Sequence, residues 1–296
     1  MYNLKKLAFD GEHKLDLDSQ PCRIKTGKTK EEEQALMDAH LTEISKYQDK
    51  LFADKTEGLV ILLQGMDAAG KDGLISHVMR GVNPQGVNVY SFKQPAAEEL
   101  AHDYLWRIAR CLPERGKIAI FNRSYYEDVL IVKVHDLYRH QGLPERCLDE
   151  IFEKRYEQIR CFEKYLWENG IRVVKLFLHL SKEEQRERLL DRIDDKTKNW
   201  KFSLSDVKER EFWDGYQTAY QDAINATASR HAPWYVVPAD KKPAARLIAS
   251  EIILNALKDI NPDYPKLTDD MKHVITQCAE QLRQEQKNEK NTDKQP

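Results

Sequence analysis

Nine consecutive residues, Gly65-Met66-Asp67-Ala68-Ala69-Gly70-Lys71-Asp72-Gly73, combine glycines, a lysine and acids at a spacing suited to holding phosphate. They satisfy G-x-x-x-x-G-K, directly after the apolar run Leu59 to Leu63 and at the start of a helical pattern. The bare pattern arises by chance in about one chain in ten of this length, so its position between a strand and a helix carries more weight than its letters. Gly65 and Gly70 let the backbone curl so that successive N–H groups point inward, with Ala68, Ala69 and Gly73 completing the lining. The following helix adds partial positive charge and Lys71 a full one. The outcome is a cradle for linked phosphates. The Ser or Thr that usually follows the lysine is Asp72 here, so metal handling differs, and Asp67 or Asp72 offers an oxygen to Mg²⁺. Asp72 serves equally well as an acid that complements the helix dipole. Asp67, inside the cradle, would repel a phosphate unless a cation lay between them.

A second group follows the apolar run Ile118 to Phe121 and reads Asn122-Arg123-Ser124-Tyr125-Tyr126-Glu127-Asp128. In an open α/β sheet, ligands sit beyond the carboxyl ends of the strands, so these residues face the same crevice as the cradle. Enzymes with such a loop commonly end this strand with a metal-holding aspartate. Asn122 stands there instead, able to bond a metal-bound water, and Glu127 or Asp128 could restore the charge. Arg123 is the natural phosphate clamp, its planar fork gripping two oxygens, with a structural ion pair as the alternative. Lys93 opens the loop after the run Val87 to Phe92, and Asp103 and Arg107 further on share a helical face at i, i+4, as a nucleotide contact or a surface ion pair. Lys133 joins the candidate phosphate-binding cations. Arg188 and Arg192 fall on one face of Lys182 to Arg192, which suits a lid closing over phosphates and excluding water. On spacing alone a solvated helix is the better reading, since Glu184 lies four residues before Arg188. The basic and aromatic stretch Thr197 to Ser203 reads as a hinge or a nucleic-acid patch, the latter being weaker because no basic run exceeds two residues.

Short apolar runs position these groups: Leu59 to Leu63, Val87 to Phe92, Ile118 to Phe121, Val173 to Leu178 and Tyr235 to Val237. Helical patterns separate them, over Lys71 to Arg80, Ala97 to Cys111, Pro144 to Asn169, Lys182 to Ile193, Leu204 to Ala226 and Lys242 to Leu257. This alternation predicts an α/β fold, a parallel sheet with helices on both faces. An irregular amino-terminal arm and one helix occupy residues 1–54, the α/β domain 55–265 with its lid at about 182–210, and a last helix with a disordered tail from Gln284 residues 266–296.

In 296 residues, 47 Lys and Arg nearly balance 49 Asp and Glu, so a net charge of -2 gives no global attraction to nucleic acid or membrane. The anion site must be built locally. Five scattered cysteines without a Cys-x-x-Cys pair read as reduced thiols, and the absence of a signal peptide or a long apolar stretch predicts a soluble cytoplasmic protein.

Together the motifs resemble polyphosphate kinase family 2. The resemblance runs from about Lys55 to Leu257, carried by QGMDAAGKDG (Gln64 to Gly73), NPQGV (Asn83 to Val87), SFKQP (Ser91 to Pro95), HDYLWR (His102 to Arg107), FNRSYYEDVL (Phe121 to Leu130), DKTKNWKFS (Asp195 to Ser203) and APWYVVPADKK (Ala232 to Lys242). It implies a P-loop nucleotide-kinase-like sheet with a helical lid, polyphosphate as donor and Mg²⁺ between donor and acceptor. It places Asp67, Lys71 and Arg123 in the catalytic centre, with Glu127 as the acid supporting a wider acceptor range. Arg188 and Arg192 become lid residues that hold polyphosphate, and the lid reading becomes the favoured one. Asn122 before Arg-Ser, with Glu-Asp after the tyrosines, resembles the class III members, which accept both AMP and ADP. The expected activity is reversible phosphoryl transfer from inorganic polyphosphate to adenine nucleotides, guanine being left open. Lys93, Asp103, Arg107, Asn122 and Arg123 would bind nucleotide, and Asp67, Glu127 and, through water, Asn122 would bind metal. A homo-oligomer is expected, the helices Pro144 to Asn169 and Leu204 to Ala226 offering surface. The competing readings are an ATP-dependent nucleoside monophosphate kinase and a nucleotide-binding module without turnover.

Overall fold

The computed structural model describes residues 3–292, with side chains to 287. Six strands form one sheet in the order β1-β6-β5-β2-β4-β3: β1 (Ala8–Phe9), β2 (Gly58–Gln64), β3 (Val87–Ser91), β4 (Ile118–Asn122), β5 (Ile171–His179) and β6 (Trp234–Pro238). Strands β2 to β6 run parallel, and β1 lies antiparallel on β6, with Ala8 opposite Tyr235 and Phe9 opposite Trp234. All seven residues of β2 are buried, which is why it reads as an unbroken apolar run rather than an alternation: helices cover both of its faces.

On one face, α1 (Lys30–Asp54), α2 (Lys71–Val78) and α6 (Lys242–Ile260) pack Ile44, Leu51, Leu74, Ile248 and Ile252 against Ile61, Ile120 and Leu176. On the other, α3 (Ile151–Glu168) and α5 (Trp213–Thr227) pack Ile159, Leu166, Tyr220 and Ile224 against Phe121, Phe177 and Trp234. Thr29 starts α1 by accepting the Glu32 N–H at 3.2 Å, while Glu32 accepts the Thr29 N–H at 2.8 Å, so two otherwise orphaned donors are satisfied. The lid helix α4 (Lys182–Asp194) starts at Ser181, whose hydroxyl accepts the Glu184 N–H at 3.2 Å.

Several sequence expectations change. The amino-terminal arm is not a loose appendage: besides β1 it contributes Leu15 and Leu17 to the core, and their N–H groups donate to Asn225 at 2.6 Å and Gln221 at 2.8 Å on α5. Residues 1–262 thus form one compact unit. The helical pattern Ala97 to Cys111 breaks into the single turns Ala97–Leu100 and Trp106–Ala109, because Asp103 accepts the Leu105 N–H at 3.0 Å and turns the chain between them. The pattern Pro144 to Asn169 breaks at Glu150, whose φ of 45° is left-handed. The pattern Leu204 to Ala226 divides into Leu204–Lys208, a 3-10 turn at Glu209–Phe212, and α5. The second unit, 263–296, contains α7 (Asp269–Thr292). This helix continues through the stretch from Gln284 that composition marked for disorder, and residues 293–296 of that stretch lie outside the described residues. Among the described residues no helix is long and apolar enough to cross a membrane.

Candidate active site

Register brings the two sequence motifs together. Leu63 of β2 pairs with Asn122 of β4, so the loop leaving β2 and the turn leaving β4 emerge side by side at the carboxyl edge, where the Arg123 N–H donates to the Leu63 carbonyl at 3.0 Å. The loop needs its glycines. Gly65 (φ 152°) and Gly70 (φ 103°) both lie in backbone space that a side chain disfavours, and a Cβ on Gly65 would stand 3.0 Å from the Leu178 carbonyl oxygen. Ala68 and Arg123 are also left-handed, at φ 62° and 63°, without being glycine. Such strain persists only where surroundings enforce it. Below Arg123 they do: Ser124 accepts the Tyr126 N–H and a Gln64 amide hydrogen, each at 3.1 Å. The Tyr125 and Tyr126 hydroxyls donate to Glu163 at 2.8 and 2.9 Å, and Glu163 closes a fully buried ion pair with Lys175 at 2.6 Å. The turn carrying Arg123 and Glu127 is therefore pinned to the core by a buried polar network, in which the Gln64 side-chain oxygen alone of the groups named lacks a partner.

Above this floor Arg123 spans two acids, donating to Asp67 at 2.7 Å and Glu127 at 3.3 Å. Burial opposes the guanidinium charge, but Glu127 and Asp67 more than offset it, and the Arg123 pKa is raised. Burial pushes the Glu127 carboxyl above its ordinary value, with Arg123 and Lys71 only partly opposing. Lys71 is buried and folds back onto its own loop, donating to the Gly65 carbonyl at 2.6 Å and the Met66 carbonyl at 3.3 Å. Burial first, and the Arg123 charge second, lower its pKa. Asn122 donates to Asp72 at 2.7 Å, which ties the strand end to the first turn of α2.

These groups face a cavity of about 640 Å³ lined by Asp67 to Gly73, Lys93, Asn122, Arg123 and Arg192. Gly65 and Glu127 line a small recess beside it, shared with Asp67 and Arg123. On the far side of the loop a second cavity of about 250 Å³ is lined by Arg188, Arg192, Lys198, Lys201, Lys242 and Arg246 against the single acid Asp191. Not all expected residues converge. Asp103 and Arg107 line a separate cavity of about 360 Å³, and the expected Asp103–Arg107 pair does not form: Arg107 donates to the Lys93 carbonyl at 2.9 Å and pairs with Glu99 at 3.5 Å. Asp128, left open as the replacement acid, turns away toward Gln141 and Arg155. Lys133 lies on the helical turn Ile131–Val134, paired with Asp222 at 2.8 Å and Tyr156 at 3.3 Å, and lines neither phosphate cavity.

Arg188 has a different task from the mobile one expected of it. It is buried, and its nitrogens donate to the carbonyls of Ala68 (3.1 Å), Ala69 (2.9 Å), Ala239 (2.6 Å) and Asp240 (3.1 Å) and to Glu184 (2.9 Å). It holds the outer wall of the loop in shape. Arg192, one turn on, is half-buried and pairs with Asp206 at 3.0 Å while facing both cavities. Burial, then the charge of Asp67, raises the Asp206 pKa, which puts this acid of the lid segment close to Asp67. Lys198, Lys201, Lys242, Arg246 and Asp206 were missed as site residues. Their signals existed in the basic stretch Thr197 to Ser203 and the lysine pair at 241 and 242, but only folding aligns them. Among the described residues no three His, Cys, Asp or Glu side chains cluster as a closed metal cage. Asp67 and Glu127 still suit a hard cation such as Mg²⁺, which commonly takes one or two carboxylates and completes its shell with phosphates and water.

The sequence profile of polyphosphate kinase 2 matches residues 27–265. The chain belongs to the polyphosphate kinase 2 family. The kinase is 46% identical over 273 residues, 91% of this chain and 94% of the relative, to an ADP-polyphosphate phosphotransferase of Rhodopseudomonas palustris. It is 44% identical over 223 residues, 75% of this chain and 80% of the relative, to an AMP/ADP-polyphosphate phosphotransferase of Meiothermus ruber. The crystal structure of polyphosphate kinase 2 from Arthrobacter aurescens superimposes on it with a TM-score of 0.85 at 38% identity, covering 93% of this chain and 96% of that one. The kinase therefore has the fold that its motifs implied, and family membership makes it a phosphotransferase.

Proposed function

We propose that the enzyme transfers the terminal phosphoryl group of inorganic polyphosphate to AMP and to ADP, reversibly, with Mg²⁺. The observation that carries this reading is the second cavity: beside Leu74, Leu178 and a few alanines, six cations against one acid surround a space that continues the phosphate cradle and carries no aromatic side chain against which a base could stack. That lining suits a donor made of phosphates alone. The names of the Rhodopseudomonas and Meiothermus relatives support ADP and AMP as acceptors.

Arg123 grips the acceptor phosphate, and Asp67 and Glu127 fix its fork in orientation. Lys71, released from the Gly65 carbonyl as phosphate enters, bridges donor and acceptor oxygens and stabilises charge developing between them. Lys93 and Asn122 line the acceptor side of the cavity, and Arg192 and Lys201 the donor side. Asp67 and Glu127, with Asn122 through water, are the residues that would hold Mg²⁺, which when bound supplies charge neutralisation between the phosphates. Both bonds exchanged are phosphoanhydrides, so the reaction runs either way. Self-association belongs to the same reading, supported by the exposed Tyr165 and Trp167 on α3 and checked by light scattering. A cytoplasmic location fits five cysteines that are all free.

Chromatographic turnover assays test the assignment, offering Mg²⁺ with polyphosphate plus AMP or ADP, and separately ATP plus AMP, beside Lys71→Ala. ADP from AMP and ATP from ADP, dependent on polyphosphate and lost in the variant, is the expected result. Turnover confined to ATP plus AMP would leave an ordinary nucleotide kinase, and binding without turnover a nucleotide-binding module.

A further inference from the structure

A further cavity, of about 370 Å³, opens on the other flank of the first turn of α6. Its walls come from α1, with Lys30 and Glu33 beside the apolar Met37 and Leu41, from His77 of α2 and Arg80 just beyond that helix, and from Arg246 of α6. Arg246 lines both this groove and the six-cation cavity, so the two adjoin across one guanidinium. That side chain lies over the start of α2, its Nη2 3.6 Å from where a Cβ on Gly73 would stand. The charge balance of the groove is positive. Its lone lining acid, Glu33, already accepts the Thr26 hydroxyl at 2.5 Å. Arg80 touches Asp38 through one nitrogen at 3.1 Å with both side chains more than half exposed, a pair too solvated to neutralise it. Burial first, and the neighbouring Arg188 second, lower the Arg246 pKa, the mark of a cation whose surroundings do not compensate it.

We propose that this groove is a distal donor subsite, in which a long polyphosphate whose reacting end lies in the cradle continues past Arg246 and runs between α1 and α6 over Lys30 and Arg80. The inference rests on the polyphosphate reading of the function. A phosphate polymer carries charge along its whole length, and the two cavities nearest the loop hold only its first units. The remainder must leave somewhere, and cations set along the exit lower its free energy without touching the reacting bond. Such a subsite tightens long chains and leaves the chemical step unchanged, because its contacts are the same in ground and transition states.

The test is Lys30→Glu/Arg80→Glu, two exposed positions outside the catalytic cavity. The expected result is a KM for long-chain polyphosphate raised about tenfold, as two partly screened contacts become repulsions. At saturating donor, kcat and the nucleotide KM stay within about twofold, since neither substitution touches the transition state. The dependence of the polyphosphate KM on salt should also flatten, because fewer counterions are released. An unchanged polyphosphate KM overturns the proposal, and so does a fall in kcat or a rise in nucleotide KM of the same size. Should the parent enzyme turn over no polyphosphate, the functional reading fails and the subsite is judged by direct titration with long-chain polyphosphate. Weaker binding by the double variant supports it there. Equal binding, or weakening seen with single-stranded RNA and not with polyphosphate, overturns it.

Discussion

At the scale of single residues, the site works through opposed charges held close together. Arg123 sits between Asp67 and Glu127 in a left-handed conformation that Gln64, Ser124 and the two buried tyrosines enforce. Burial moves two of the groups toward neutrality from opposite sides: the Glu127 pKa rises above 4.5 and the Lys71 pKa falls below 10.5. Glu127 must be ionised to orient Arg123, so activity rises as pH passes upward through a pKa above 4.5. Lys71 must be charged to meet phosphate, so activity falls as pH passes upward through a pKa below 10.5. The profile of kcat/KM against pH, which reports free-enzyme groups, should be a bell narrower on both sides than ordinary side chains would give. In Glu127→Gln the acid limb should disappear while the alkaline limb remains and moves to lower pH, because Glu127 no longer supports the Lys71 charge. An unchanged acid limb in that variant would show that another group produces it.

At the scale of elements, the lid is two devices in sequence. The first turns of α4 are fastened to the phosphate loop by Arg188 on the Ala68 and Ala69 carbonyls and by the Gln185 amide donating to the Asp67 carbonyl at 2.9 Å, and to the turn after β6 by Arg188 on the Ala239 and Asp240 carbonyls. From Arg192 onward, Lys198, Lys201, Ser203 and Ser205 line the two cavities beside the loop, with Trp200 and Leu204 exposed. The two arginines should therefore fail differently. Arg188→Met strands four carbonyls and costs about 3 kcal/mol, lowering Tm by about 10 °C in a thermal melt and kcat along with it. Arg192→Ala should lower Tm less, by about 4 °C, because it leaves one largely buried acid, Asp206, without its ion pair rather than four carbonyls without a donor, and raise the polyphosphate KM about tenfold. Equal melting losses in the two variants would contradict this division.

At the scale of the whole molecule, every residue lining the cavities beside the phosphate loop lies in the compact unit 1–262. The exposed Met271, Val274, Ile275 and Leu282 of α7 belong to the second unit. A chain ending at residue 262 should fold, since its two core layers are complete within it. It should keep kcat within about twofold of the full chain. Loss of turnover by a truncated chain that still melts cooperatively would give the second unit a catalytic part.

The sequence by itself determined what depends on neighbours along the chain. G-x-x-x-x-G-K between a strand and a helix specified the loop, because its backbone conformations require glycine at fixed positions. Apolar runs of strand length specified the parallel sheet, because strands covered on both faces need no polar alternation. That Asp67, Arg123 and Glu127 would meet was legible from their places at two strand ends that the topology sets side by side. Tertiary structure decided the rest. Helical spacing allowed Arg188 and Arg192 equal roles, but only packing shows that one bonds carbonyls and the other faces the cavity. Lys133 read as a phosphate cation until Asp222, 89 residues away, proved to be its partner. The six-cation cavity draws its charges from α4, the turn after it and α6, in a chain whose net charge of -2 discloses nothing of their convergence. Such a site is a property of distance, and only the folded chain sets distances between residues far apart in sequence.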